Sequence, residues 1–211
     1  MSPPNLTALR RWLPAAAVFA ALVCGAPATT VIAPDFDQLV NESDYVVRAV
    51  VKSVTSEYRA SPNGRKIITK VEVEVREVVT GTPPARVVLE MLGGKVGDES
   101  MVLEGAPQFK VGDEDVLFVS GNGQNIYPLF AIMHGRYPVL REPGTGRIYM
   151  ARSNQVPLQD TAEVAQAMTD GGAAALPGKG KNPAQALTPE QFVQQIKAAV
   201  NPGYVRSRQQ H

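Results

Sequence analysis

Ile67-Ile68-Thr69-Lys70-Val71-Glu72-Val73-Glu74-Val75-Arg76 is the stretch on which the fold reading turns. Ile67, Val71, Val73 and Val75 fall on one side of an extended chain, and Lys70, Glu72, Glu74 and Arg76 fall on the other. Successive strand side chains alternate between faces, so this pattern predicts a long strand with one buried and one solvated face. Glu77 then lands on the apolar side before Val79 resumes it, which predicts a bulge or strong coiling near the strand end.

Upstream, Tyr45 to Val54 reads as a second strand, with Tyr45, Val47, Ala49 and Val51 inward and Arg48 and Lys52 opposite. The turn formers Ser61-Pro62-Asn63-Gly64 join the two strands into an antiparallel hairpin. Downstream, the strand candidates are Arg86–Leu92, Ser100–Glu104, Asp115–Ser120, Ile126–Phe130, Arg136–Leu140 and Arg147–Met150, separated by Gly- and Pro-rich turns. Strand parity puts Val47, Val51, Val71, Val73, Val75, Leu89, Leu117 and Val119 inside. Many short strands with this punctuation specify a mainly β, antiparallel barrel or sandwich.

Helices are peripheral in this reading. Asp35 to Asn41 forms a short one ahead of the first strand, and Asp160 to Thr169 forms another. Thr188 caps a last helix with Pro189 at its first position and an apolar stripe of Phe192, Val193, Ile196, Ala199 and Val200.

The chain of 211 residues, 44% hydrophobic and 19% charged, holds one globular domain with appendages. Residues 1–28 read as a signal peptide: Arg10-Arg11 precede an apolar run too short to span a membrane, and Ala26-Pro27-Ala28 supplies a small-x-small cleavage site. The twin arginines fit an ordinary basic region better than a twin-arginine signal, and bulky Val23 before Cys24 argues against lipidation. The expected organisation is a signal peptide over 1–28, a β-barrel domain over 29–158, a peripheral helix over 159–170, a Gly/Ala/Pro/Lys linker over 171–187, and a C-terminal helix with a basic tail over 188–211. The protein is then exported, to the periplasm or the extracellular space, with no membrane span in the mature chain. Cys24 is the one cysteine, so cleavage after Ala28 leaves no disulfide and no thiol chemistry.

A net charge of +1 leaves no excess of cations for a phosphate backbone, which excludes nucleic acid as an expected partner. The basic tail (Lys179, Lys181, Lys197, Arg206 and Arg208 against Glu190) is dilute enough to read first as a solubility feature, with weak contact to an anionic surface as the alternative.

Asn41-Glu42-Ser43-Asp44-Tyr45-Val46-Val47-Arg48-Ala49-Val50-Val51, followed by the long strand and its Gly81 corner, resembles the opening of the netrin-like modules of tissue inhibitors of metalloproteinases. Gly105 to Gly112, leading into Val116 to Val119, is similar to uncharacterised secreted bacterial domains of the same pattern. The resemblance implies a five-stranded OB-type barrel with a short N-terminal helix. It does not carry over the inhibitory mechanism, because that family chelates its target's zinc through an N-terminal cysteine that this mature chain lacks.

Catalytic chemistry is sparse. His134 and His211 are the only histidines, no zinc-ligand spacing is present, and no nucleophile elbow or phosphate loop occurs, so no metal and no cofactor are expected. His134 reads as a structural histidine, the Asp113-Glu114-Asp115 run as a solvated turn, and Gly93–Gly97 as a hairpin turn. Asn41-Glu42-Ser43 is a glycosylation sequon that matters only in a eukaryotic secretory pathway. The expected function is a secreted, non-enzymatic binding module for a protein partner, with an exported protease as one candidate. The loops Gly93–Gly97 and Gly121–Gly123 and the segment Met133–Tyr137 would make the contact, with His134, Arg136 and Tyr137 as the binding residues. The alternatives are a hydrolase using Asp98, Glu99 or Glu104, and an envelope structural protein.

Overall fold

The computed structural model describes residues 32–62, 64–103, 105–168 and 181–201. The expected signal peptide, most of the linker composition and the end of the tail lie outside these residues. The described chain opens with helix α1 (Phe36–Asn41), closed at its start by a reciprocal cap. The Gln38 N–H donates to the Asp35 carboxylate at 2.7 Å, and the Gln38 side chain accepts from the Asp35 N–H. The strands follow: β1 (Tyr45–Ser61), β2 (Gly64–Gly81), β3 (Val87–Leu92), β4 (Gly94–Val96), β5 (Glu99–Met101), β6 (Glu114–Val119), β7 (Arg136–Arg141) and β8 (Ile148–Met150). Helix α2 (Pro189–Ala199) ends the described chain.

The protein is mainly β and its sheet is antiparallel. Six strands pair in the order β3-β2-β1-β6-β7-β8, while β4 and β5 form a separate hairpin. Strand pairing stops at β3 and β8, and both outer edges are occupied by other backbone or side-chain groups. The Asn122 amide donates to the Val88 carbonyl and accepts from the Glu90 N–H, and the Leu92 N–H donates to Ile126. On β8, the Met150 N–H donates to the Leu187 carbonyl and the Leu158 N–H donates to Met150. Each bond consumes an edge group that another chain would otherwise pair with.

Period two in the sequence accounts for one core. The eight residues assigned inward by parity pack together with Tyr45, Ala49, Val87, Met91, Phe109 and Leu129; Val75 is the one among them that is only partly buried. Sequence reading missed the second core. Val46, Val79, Val116, Phe118, Tyr137 and Met150 point to the opposite face, where α1, α2 and the 3₁₀ turn at Thr161–Ala165 cover them through Leu39, Val164, Phe192, Val193 and Ile196. Strands β1 and β6 are therefore buried on both faces, which is why Val46-Val47 and Val116-Leu117-Phe118-Val119 are unbroken apolar runs. Each such side chain contributes roughly 1.5–3 kcal/mol on burial.

The expected bulge is present and multiplied. The β1–β2 register shifts between Val46 and Val47, between Arg48 and Ala49, and between Val51 and Ser53. Ala49 sits opposite Val75 and Arg48 opposite Glu77, so Arg76 is an extra residue and parity inverts beyond it. Val79 consequently joins the helix-covered core and not the core that holds Val75. At the strand's end Gly81 has φ +75°, and a Cβ there would lie 2.4 Å from the Asp44 carbonyl oxygen. Only glycine fits this corner.

Two expected elements differ. Ile126–Phe130 is not a strand: it makes a single bridge, Leu129 to Val119, because Pro128 has no N–H to donate and Ile126 faces solvent. The expected helix over Asp160–Thr169 is a short 3₁₀ turn, since Val164 is its one buried anchor. The last part of the expected linker is docked: Lys181 meets Glu163, Arg147 donates to the Pro183 and Ala186 carbonyls, and Leu187 pairs with Leu158. Helix α2, capped by Thr188, buries Phe192, Val193 and Ile196 against the sheet.

Val73 is 5% exposed in the inner core, whereas the Glu72 side chain lies on the solvated face, paired with Arg86. Val73→Asp should therefore cost several kcal/mol and Glu72→Ala within about 1. Urea denaturation of both variants checks this, and equal midpoints would overturn the register.

Candidate functional site

Strands β6 and β7 are paired only from Leu117↔Arg136 to Asp115↔Pro138. Beyond Pro138, β7 runs on to Arg141 beside β8, while the chain before β6 swings away towards β1. The gap is a cleft of about 470 Å³ between the 105–114 segment, the end of β7 and the turn at Ser153–Gln155. That volume falls within the range of small-ligand and peptide-side-chain sites. Its lining is mixed: Met133, Pro138, Val139 and Leu140 are apolar, and Lys110, Asp113, Asn154 and Gln155 are polar.

One guanidinium fixes a wall of this cleft. Arg136 Nε donates to Asp115 Oδ1 at 2.8 Å, and Nη2 donates to Asp115 Oδ2 at 3.2 Å and to Asp113 Oδ2 at 2.8 Å. Nη1 donates to the Gln108 carbonyl, and the guanidinium lies 4.3 Å above the Phe109 ring. Segment 108–113, which has no regular structure of its own, is thereby tied to β7 at both ends. Its other side is tied to β1, through Val51 N–H to Asp113 O and Gly112 N–H to Val51 O. Asp115 is fully buried; burial pushes its carboxyl up from the ordinary range, and the charge and hydrogen bonds of Arg136 pull against that.

Among the described residues, three non-glycine residues have positive φ: Ala131 (47°), Ile132 (57°) and Gln155 (64°). For a β-branched residue such as Ile132 this is a strained conformation. Gln155 lines the cleft, and Ala131-Ile132 lead directly into Met133, which lines it too. Backbone strain thus collects at the cleft's rim.

The sequence-assigned residues divide. Arg136 lines the cleft, but with its nitrogens engaged and only 7% of its surface exposed. His134 and Tyr137 are each 1% exposed and turn into the helix-covered core, where Tyr137 packs against Phe118 and Phe192. Their side chains offer no surface to a partner, because the 3₁₀ turn at Ile132–Gly135 sends Met133 outward and His134 inward. Of the other loops, Gly94–Val96 is strand β4, and Asn122 is used on the β3 edge. The acids weighed for hydrolysis do not meet in the cleft: Glu99 is tied to Arg65, Asp98 sits in the β4–β5 turn, and Glu104 is outside the described residues. The acids at the cleft are engaged as well, Asp113 by Arg136 and Glu114 by Arg48. No group of three potential metal-ligating side chains occurs among the described residues, and no described helix is long and apolar enough to cross a membrane. The signal that could have found the cleft is Pro138 directly after Arg-Tyr: a proline within a strand marks where pairing ends.

Arg136→Leu leaves the Asp115 carboxylate buried without its partner and should cost about 3–5 kcal/mol, while Arg136→Leu combined with Asp115→Leu should cost much less than the two single changes added. Additive losses in a double-mutant cycle of denaturation free energies would refute the coupling. His134 is held down at about 4, from an ordinary 6.5, by burial first and by the neighbouring Arg152 charge second, with a hydrogen bond to the Val164 backbone acting the other way. The unfolded imidazole takes up a proton near pH 6.5 and the folded one only near 4, so stability present above pH 6.5 is lost as pH falls through that window. The loss is on the order of 3 kcal/mol at most. His134→Gln should flatten the stability profile between those pH values, and an unchanged slope would exclude His134 as its source.

No protein-family model and no curated protein sequence matches this chain.

Proposed function

We propose that the chain is an exported, non-enzymatic binding module whose cleft between the 105–114 segment and the end of β7 receives an extended segment of a protein partner. The observation that carries this reading is the cleft itself: a mixed lining of apolar β7 residues and polar groups, with one wall fixed by Arg136. A site whose walls are held before binding loses less conformational freedom on association. The rim strain at Ala131-Ile132 and Gln155 supports the same location, since such conformations persist where surrounding structure over-determines them. An exported protease is the partner class to try first, on the resemblance to metalloproteinase inhibitors. The same proposal takes β1, β2, β3 and β6 as an OB-like unit; their shared core and the bulged β1–β2 ladder support it. For the basic tail, the ion pairs Lys181–Glu163 and Lys197–Glu77 favour a structural role over contact with an anionic surface.

The test is selection of displayed random peptides on the immobilised protein, followed by binding measurements on Ala106→Arg and Lys110→Glu, two changes in the lining that should leave folding stability within about 1 kcal/mol. The expected result is an enriched peptide class whose affinity falls at least about tenfold in both variants, a change of about 1.4 kcal/mol. Enriched peptides that bind both variants as tightly as the wild type would place the site elsewhere.

A further inference from the structure

Behind the cleft wall, the helix-covered core holds a group of polar atoms that the fold leaves unpartnered. Arg152 Nε, Tyr137 Oη and His134 Nδ1 are all buried without a hydrogen-bond partner. Arg152 is 4% exposed and, among the described residues, has no carboxylate within ion-pair distance. Burying such groups without hydrogen bonds is unfavourable, and native proteins rarely leave three together.

The strand geometry places these atoms in one locality. Ala151 N–H donates to Pro138 O and Ser153 Oγ donates to Arg136 O, so Arg152 lies across from Tyr137. Residues 150 and 152 share a face, and Met150 and Tyr137 belong to the same core, so the guanidinium and the phenol are neighbours on that face. His134 hydrogen-bonds the Val164 backbone, and Arg152 Nη2 donates to the carbonyl of Gln166, two residues on. The imidazole and the guanidinium are thus anchored to the same short segment.

The donor and acceptor count identifies what fits between them. A neutral imidazole that donates Nε2–H to the Val164 carbonyl presents a lone pair at Nδ1; Arg152 Nε presents a donor, and Tyr137 presents a hydroxyl. A bridging group must accept from Arg152 and donate to His134, and it can accept from or donate to the Tyr137 hydroxyl. Water does all three, whereas a simple anion has nothing to donate to Nδ1. We infer that His134, Tyr137 and Arg152 bind one buried structural water, which joins β7, the chain after β8 and the 3₁₀ turn at Thr161–Ala165 into a single hydrogen-bonded unit.

A crystal structure at about 1.2–1.5 Å, where ordered water and side-chain contacts are resolved, tests this directly, together with a bromide soak of the same crystals. The expected result is one density peak within ~3.2 Å of all three atoms, with no anomalous signal after the soak. Direct contact among the three side chains with no intervening peak overturns the proposal. So does bromide at that position, which would make the site an anion site. Nitrogen NMR of His134 at neutral pH gives an independent readout in solution: the proton should reside on Nε2, and a proton on Nδ1 would contradict the water's donation.

Discussion

Everything else in this fold depends on one ribbon, β1–β2, serving two cores. An unbroken antiparallel ladder keeps each residue's face fixed by parity, so Val75 and Val79, four residues apart, would face the same core. The extra residue at Arg76 breaks that rule, so that Val75 faces the sheet's inner core and Val79 faces the helices. Without the inversion, Val79 would turn to the inner core with Val75, and the helices would lose its contact. The helices depend on it because neither has enough apolar contact of its own: α1 is six residues long and α2 eleven, lengths that are marginal in isolation.

The helical layer is also secured by polar contacts at its ends, which act on position more than on stability. Arg48, projecting on the helix side of β1, reaches both Glu114 on β6 and Glu190 in the first turn of α2. Asn41 donates to the Ala199 carbonyl and accepts from the Asn201 N–H, tying the end of α2 to α1. Exposed pairs of this kind contribute at most about 1 kcal/mol each. They fix where α2 lies, while Phe192 and Ile196 supply most of the attraction.

How much of this was legible follows from how many faces each segment buries. Where one face is buried, as in Val71 to Val75, alternation alone specifies the strand, its inward face and its core members. Caps were legible for a similar reason, because Asp35 and Thr188 act on residues three positions away. In β1 and β6 both faces are apolar, alternation vanishes, and Val46, Val116 and Phe118 carry no sign of which layer they enter. Tyr137 was ambiguous from sequence because a phenol suits an interface and a core equally. The cleft was the least legible feature, since the 105–114 segment takes its shape from Arg136, a contact across more than twenty residues.

The cleft and the buried polar group are consequences of the same short turn. Phe130 N–H donates to Phe118 O, Ile132 N–H to Leu129 O and His134 N–H to Ala131 O, so the chain from 129 to 135 is closed on itself against the end of β6. Gly135 completes the closure: a Cβ there would stand 2.8 Å from the Phe130 backbone and 2.9 Å from the Phe118 carbonyl. So tight a path leaves Ala131 and Ile132 no room for ordinary φ values, and their strain is the cost of the closure. In return, one turn faces two ways. Met133 emerges beside Gly105 at the cleft, and His134 enters the core beside Arg152. A contact made against Met133 in the cleft and the packing of His134 in the core therefore bear on adjacent residues of one strained segment.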